Sequence, residues 1–221
     1  MPRKNSSKLS RRPRLDPRFS IPTYISNYVI PAHLRFSVGA GPSSTSVRAS
    51  DIVSALGIMA TSSTTAYPFF KCVRLKKVEA WGNTDSTNLL GTVSILYGNT
   101  AESIEGLKEY SDSTVSSSVP AHVVCSPPPG SHPAFWHNNT DTNVLFTFYY
   151  PDSAIIDVYV DAILQDSGSA APAITVSGAT AGVVYYQPLD GDGRVNTRFS
   201  EFVILRSRFA LSCVHCIYCI L

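Results

Sequence analysis

The densest group of metal-capable side chains lies at the end of the chain, where Cys213, Cys216 and Cys219 follow one another at three-residue spacing with His215 inside the run. Thiolates so spaced can share one zinc ion or an iron–sulfur cluster. A tetrahedral zinc site usually joins two such knuckles from separate segments. The other two cysteines, Cys72 and Cys125, stand singly, so the second knuckle is missing and the sequence predicts neither a metal site nor a disulfide framework. Nor is the tail a prenylation box, because Cys219 is third from the end rather than fourth. Two carboxylate pairs could suit calcium at a subunit contact: Asp190 with Asp192 in a glycine-spaced run, and Asp157 with Asp161 two strand positions apart. Neither brings the rest of a coordinating loop. The first reads as a turn and the second as the solvated face of a strand.

Catalysis finds less support still. His33, His122, His132, His137 and His215 stand in no recognised spacing with a serine or cysteine nucleophile, and there is no Gly-x-Ser-x-Gly elbow. Phosphate-cradling loops are absent too, with no Gly-x-Gly-x-x-Gly and no glycine-rich run ending in Gly-Lys-Ser or Gly-Lys-Thr. No catalytic residue is predicted, and the chain is not expected to be an enzyme. Asn138-Asn139-Thr140 has the form of a glycosylation acceptor, but without a secretory signal it reads as an exposed loop.

One charged segment does point to a partner. Arg3, Lys4, Lys8, Arg11, Arg12, Arg14 and Arg18 are opposed over the same stretch only by Asp16, while the whole chain has a formal net charge of +2. The body behind this segment is therefore mildly acidic. Cations concentrated in this way neutralise backbone phosphates without reading sequence, and such binding weakens steeply with salt. Those seven residues are the predicted nucleic-acid contacts. A nuclear import signal, which can coexist with that role, and a merely solvated tail are the rival readings. Residues 1–20 carry almost no large apolar side chains, so they are expected to form a disordered arm, unable to offset the entropy of ordering.

The elements behind the arm are short. In a 221-residue chain with 15% charged and 44% hydrophobic residues, one domain of ordinary size is expected and global disorder is excluded. Runs of β-branched and aromatic residues separated by Gly, Pro, Ser, Asn and Asp predict strands over 33–38, 46–49, 69–81, 92–97, 121–125, 144–149, 154–165, 173–176 and 183–187. This pattern describes an all-β antiparallel sandwich or barrel, because an α/β design needs helical stretches between its strands. Within 72–81 the alternation slips at Lys76-Lys77, as at a β-bulge. Within 155–164, Ile156, Val158, Val160 and Ala162 share one face while Asp157, Tyr159 and Asp161 share the other. One short crossover helix is predicted, capped by Ser50-Asp51, carrying Ile52, Val53, Ala55 and Leu56, and stopped at Gly57. The hydroxyl tract Thr61 to Thr65 reads as a loop. No secretory signal is visible, and the apolar stretch 209–221 is shorter than the roughly 20 residues that span a bilayer. Synthesis inside the cell, a reduced state and no membrane partner are expected.

A basic arm followed by eight or so strands resembles the single jelly-roll capsid proteins of small icosahedral viruses, among them tombusvirus-like RNA viruses and related circular single-stranded DNA viruses. The stretches that carry the resemblance are 47–57 (VRASDIVSALG), 70–82 (FKCVRLKKVEAWG), 93–98 (VSILYG), 120–136 (PAHVVCSPPPGSHPAFW), 155–166 (IIDVYVDAILQD) and 183–191 (VVYYQPLDG). The resemblance implies an eight-stranded jelly-roll shell domain over 21–193, an arm over 1–20 lying on viral genomic nucleic acid, and self-assembly into an icosahedral shell. It also implies location in the virion, and in the host cell, the nucleus included, during assembly. There is no room for an additional projecting domain, and the tail 194–221 matches nothing in the group. The alternative is a cellular jelly-roll binding module of a cytokine-like or lectin-like sort, which would form small oligomers and tolerate loss of residues 1–20.

Overall fold

The structure, a computed structural model, describes residues 28–38, 43–84, 90–98, 107–165, 172–189 and, for the backbone alone, 203–204. Its elements in chain order are β1 (Val29–Ser37), β2 (Ser43–Arg48), α1 (Ala49–Ala55), β3 (Ile58–Ala60), β4 (Thr65–Pro68), β5 (Phe70–Gly82), β6 (Gly91–Tyr97), β7 (Lys108–Thr114), β8 (Ala121–Cys125), a 3-10 turn (His132–Ala134), β9 (Trp136–Asn138), β10 (Val144–Tyr150), β11 (Ile155–Leu164), β12 (Ile174–Thr175), β13 (Val184–Tyr185) and β14 (Val203–Ile204).

Eight of these strands build two facing sheets, ordered β1-β11-β5-β8 and β2-β10-β6-β7. Counted along the chain, the first of the eight pairs with the last, the second with the seventh, the third with the sixth and the fourth with the fifth, all antiparallel. The path is that of one long hairpin rolled up so that β11 also meets β5 and β10 also meets β6. This is the jelly roll, in which two Greek keys close a double sheet. The all-β jelly-roll expectation therefore holds. The β9 strand adds to β5, and β14 lies along β1 with His33 opposite Ile204, so a piece of the C-terminal tail covers what would otherwise be a sheet edge.

Alternation decides which side chains enter the core. Ala32, Leu34 and Phe36 of β1, Val73, Leu75, Val78 and Ala80 of β5, and Ile156, Val158, Val160 and Ala162 of β11 are buried against Val93, Ile95, Tyr97, Leu145, Phe146 and Phe148 of the other sheet. The predicted slip is real. Tyr159 pairs with Lys77 and the next residue, Val160, pairs with Leu75, leaving Lys76 as the extra residue of a bulge that keeps core side chains inward on both sides of it.

Two expectations need correction here. The helix starts earlier than predicted, at Ala49, with Arg48 rather than Ser50 or Asp51 as its N-cap. Asp51 occupies the third helical position, where its Oδ2 accepts the Arg48 backbone N–H at 2.9 Å. The tract after the helix is not all loop either, since Thr65 begins β4. A small third sheet, ordered β12-β4-β3-β13, encloses its own apolar cluster of Ile58, Ala60, Ala66, Val176, Ala179 and Tyr185. Strand β7 was not predicted at all. Its sequence, KEYSDST, is polar because it is the exposed edge of its sheet, where only Tyr110 turns toward the core.

Because neighbouring strands run antiparallel, alternate connections gather at opposite ends of the sandwich. The short connections, β1 to β2, β5 to β6, β7 to β8 and β10 to β11, leave from strand ends at one end. The longer ones, β2 to β5, β6 to β7 and β8 to β10, leave from the other, and the first and last of these carry α1, β3, β4, the 3-10 turn and β9. The start of β1, and hence the attachment of the cationic segment, is at the long-connection end.

Candidate functional site

Arg3, Lys4, Lys8, Arg11, Arg12, Arg14 and Arg18 all lie outside the described residues, as do Asp190, Asp192, Cys213, His215, Cys216 and Cys219. Among the described residues, polar and charged side chains gather on the outer face of the β1-β11-β5-β8 sheet. Alternation that sends apolar residues inward sends Arg35 and His33 of β1, Asp157, Tyr159 and Asp161 of β11, Arg74, Lys77, Glu79 and Trp81 of β5, and His122 of β8 outward.

Strand register then stacks these side chains in rows. Arg35 donates to both oxygens of Asp157, Nε to Oδ1 at 2.6 Å and Nη2 to Oδ2 at 2.8 Å. His33 Nε2 reaches the same Oδ2 at 2.8 Å, and its ring stacks on Tyr159 at 4.1 Å. The Lys77 ammonium sits 4.0 Å over the ring of Tyr159, its register partner, and donates to Glu79 at 2.6 Å. His122 meets Glu79 at 3.0 Å and stacks on Trp81 at 5.0 Å. One row further along, Arg74 donates to Asp161 at 2.7 Å while lying over the Trp136 ring, with Lys76 3.5 Å from the same carboxylate.

This arrangement overturns the reading of Asp157 as part of a solvated face. Its side chain is 1% exposed, because Arg35 and His33 close over it from β1. Burial pushes its carboxyl upward, but the hydrogen bonds and charges of Arg35 and His33 outweigh that and hold it below the ordinary range. Glu79 follows the same logic, with burial opposed and outweighed by Lys77 and His122. Asp157 and Asp161 are thus each engaged by cations of their own protein rather than turned jointly toward one ion.

The face sets Arg35, Arg74, Lys76 and Lys77 beside the rings of Trp81, Trp136 and Tyr159, each cation matched by Asp157, Asp161 or Glu79. It offers little to nucleophilic catalysis. Among the described residues, His33, His122 and His137 contact carboxylates, a carbonyl and aromatic rings. Burial pushes the thiols of Cys72 and Cys125 up, away from the reactive thiolate.

Sequence reasoning missed three histidine–carboxylate pairs: His33 with Asp157, His122 with Glu79, and His137 with Asp141. The first two join residues far apart in the chain and left no local signal. The third is local, and His132 comes with it, its Nε2 3.4 Å from Asp141 Oδ2. Asn138 ends β9 and Asn139 and Thr140 form the turn after it, with Asn138 and Thr140 exposed, so the loop reading holds for the last two residues.

No family model matches the sequence, and no curated protein does. Among solved structures, a chain from the virus-like particle of the extra small virus of the giant freshwater prawn Macrobrachium rosenbergii is similar at 12% identity, with a TM-score of 0.40, over 76% of this chain and 96% of that one. A chain of Desmodium yellow mottle tymovirus is similar at 16% identity, with a TM-score of 0.37, over 74% of this chain and 100% of that one.

Proposed function

We propose that this chain is a capsid subunit that assembles with copies of itself into a closed shell and holds nucleic acid through the cation-rich segment 1–20. What supports the reading is the run of seven cations in residues 1–20 ahead of a jelly roll whose first strand starts at the long-connection end, in a sheet whose outer face carries arginine, lysine and aromatic side chains. A fold of this kind hosts many functions. The charge segregation is what favours this one, since a lectin-like or cytokine-like module has no need of a cationic tether.

Self-association is supported by the opposite end. Leu90, Val115 and Val119, all in the short connections, are 57%, 79% and 62% exposed. Exposed aliphatic side chains gathered at one end of the sandwich are suited to meeting their equivalents on neighbouring copies. Sequence-independent phosphate contact by Arg3, Lys4, Lys8, Arg11, Arg12, Arg14 and Arg18 is the binding mode proposed, with the virion as the site of action and no catalytic step. Asp157 and Asp161 are already engaged by Arg35, His33, Arg74 and Lys76, so calcium at subunit contacts would rest on Asp190 and Asp192, outside the described residues.

Electron microscopy of the purified full chain and of a variant lacking residues 1–20, each with and without nucleic acid at low and high salt, tests this. Uniform closed particles that retain nucleic acid only when the segment is present, and lose it as salt rises, are expected. Small fixed oligomers indifferent to nucleic acid in every condition would overturn the reading in favour of a binding module.

A further inference from the structure

The connection 126–143 between β8 and β10 turns back on itself so that His132, from the 3-10 turn, His137, from β9, and Asp141, from the turn after it, each bring one ligand atom within 4.8 Å of the other two. His137 Nδ1 stands 2.6 Å from Asp141 Oδ2, and His132 Nε2 stands 3.4 Å from that same oxygen. The other nitrogen of His137, Nε2, lies 2.8 Å from the His132 carbonyl. A carbonyl only accepts, so Nε2 carries a proton and Nδ1 is the nitrogen turned to the carboxylate. A carboxylate also only accepts. The gap between Nδ1 and Oδ2 is therefore built for a cation, either a second ring proton or a metal ion.

We propose that His132, His137 and Asp141 bind a divalent transition ion of the zinc type. Two features set the cluster apart from an ordinary histidine–aspartate pair. A second imidazole is turned to the same carboxylate oxygen, and the remote nitrogen of His137 is anchored on a backbone carbonyl, the outer-shell arrangement that orients metal-ligating histidines. Asp141 is prepared in the same way: its Oδ1 accepts the Asn143 N–H at 3.0 Å, leaving Oδ2 for the ion. Two imidazoles and one carboxylate select zinc-like ions, whereas calcium takes oxygen ligands throughout.

The distances suit the size of such an ion. Ligand atoms around a tetrahedral zinc, each about 2.0–2.1 Å from it, lie roughly 3.3 Å apart. The His132–Asp141 pair already has that spacing at 3.4 Å, and the His137–Asp141 pair at 2.6 Å must open by less than about 1 Å. His137 is 4% exposed while His132 and Asp141 are 42% and 20% exposed. The ion would thus sit on a buried ligand with its fourth position open to water. Its effect is to clip the 3-10 turn to the turn after β9, at the same end of the sandwich as the start of β1. The spacing, His132 then His137 then Asp141, belongs to no zinc pattern read from sequence, which is why no metal ligand was predicted.

The test uses the full chain with Cys213→Ser, Cys216→Ser and Cys219→Ser, so that tail thiolates cannot compete, titrated with Co2+ and read by visible absorption. One equivalent taken up with the strong d–d bands of a tetrahedral site is expected. Adding His132→Gln or Asp141→Asn should each weaken uptake by at least about tenfold, with far-ultraviolet circular dichroism unchanged. Zn2+ should raise the melting temperature of the parent and not of the His132→Gln variant. No uptake by the parent, or equal uptake in these variants, as would follow if His215 or adventitious surface groups held the metal, overturns the proposal.

Discussion

An Asp157→Asn substitution keeps the shape of the side chain and removes its charge at the centre of the outer-face network. Three donor contacts converge on the wild-type carboxylate, two from Arg35 and one from His33, at 2.6–2.8 Å. In the variant one carboxylate oxygen becomes an NH2 group facing donors. Hydrogen bonds to a charged group contribute about 1.5–3 kcal/mol each, but simple addition overstates the loss. Arg35 is 40% exposed, so it can turn to water, and solvent already screens its share. Asp157, at 1% exposed, has no such recourse. A net destabilisation of about 2–4 kcal/mol follows, equivalent to a fall in melting temperature of roughly 5–15 °C for a domain of this size. Urea unfolding at a protein concentration that keeps subunits unassembled measures it, with Trp81 and Trp136 as reporters on the same face.

The pH dependence supplies a second check on the same residue. Its folded-state pKa is held below the ordinary value, so its contribution is complete above the unfolded value of about 3.9 and is lost as pH falls through the lower folded value. The gap between wild type and Asp157→Asn should be full at neutral pH and close on acidification below about pH 4. Replacing the pair together, Arg35→Met with Asp157→Leu, should recover most of the loss, because an apolar pair leaves no uncompensated charge. A cost for Asp157→Asn below about 0.5 kcal/mol, or a gap that persists into acid, would refute the argument that this carboxylate is buried and held by cations.

Two other substitutions test the packing between the sheets. A Cβ at Gly82 would lie 2.3 Å from Val93 Cγ2 and 2.8 Å from Pro151 Cγ, so Gly82→Ala should cost about 1–3 kcal/mol through overpacking, read as a lowered urea midpoint at constant m. The Tyr97 hydroxyl is buried and bonds the Cys125 carbonyl at 3.3 Å, with the Cys125 thiol 3.4 Å away. Tyr97→Phe should therefore cost about 1 kcal/mol by the same assay, and an unchanged midpoint would mean that this buried bond adds nothing.

How much of this was legible beforehand differs from element to element. The strands β5, β6, β8, β10 and β11 were readable nearly to the residue because each alternates or runs apolar against a core that reads the same pattern. Even the bulge at Lys76 was visible, since two adjacent polar residues break a period of two. Strand β7 was not, because an edge strand gains its conformation from pairing with β6 along seven residues rather than from its own side chains.

What the sequence alone determined, then, was whatever is local: the period-two strands, the turn residues between them, and the separation of a cationic segment from an acidic body. Tertiary structure decided the rest. Only the rolled pairing of first strand with last sets Arg35 and His33 over Asp157 and so turns a residue with a solvent-facing pattern into a buried one. Only the fold of the connection 126–143 brings His132, His137 and Asp141 around one point. Burial and charge pairing depend on which atoms meet in space, and in a jelly roll the meetings that matter join the most distant parts of the chain.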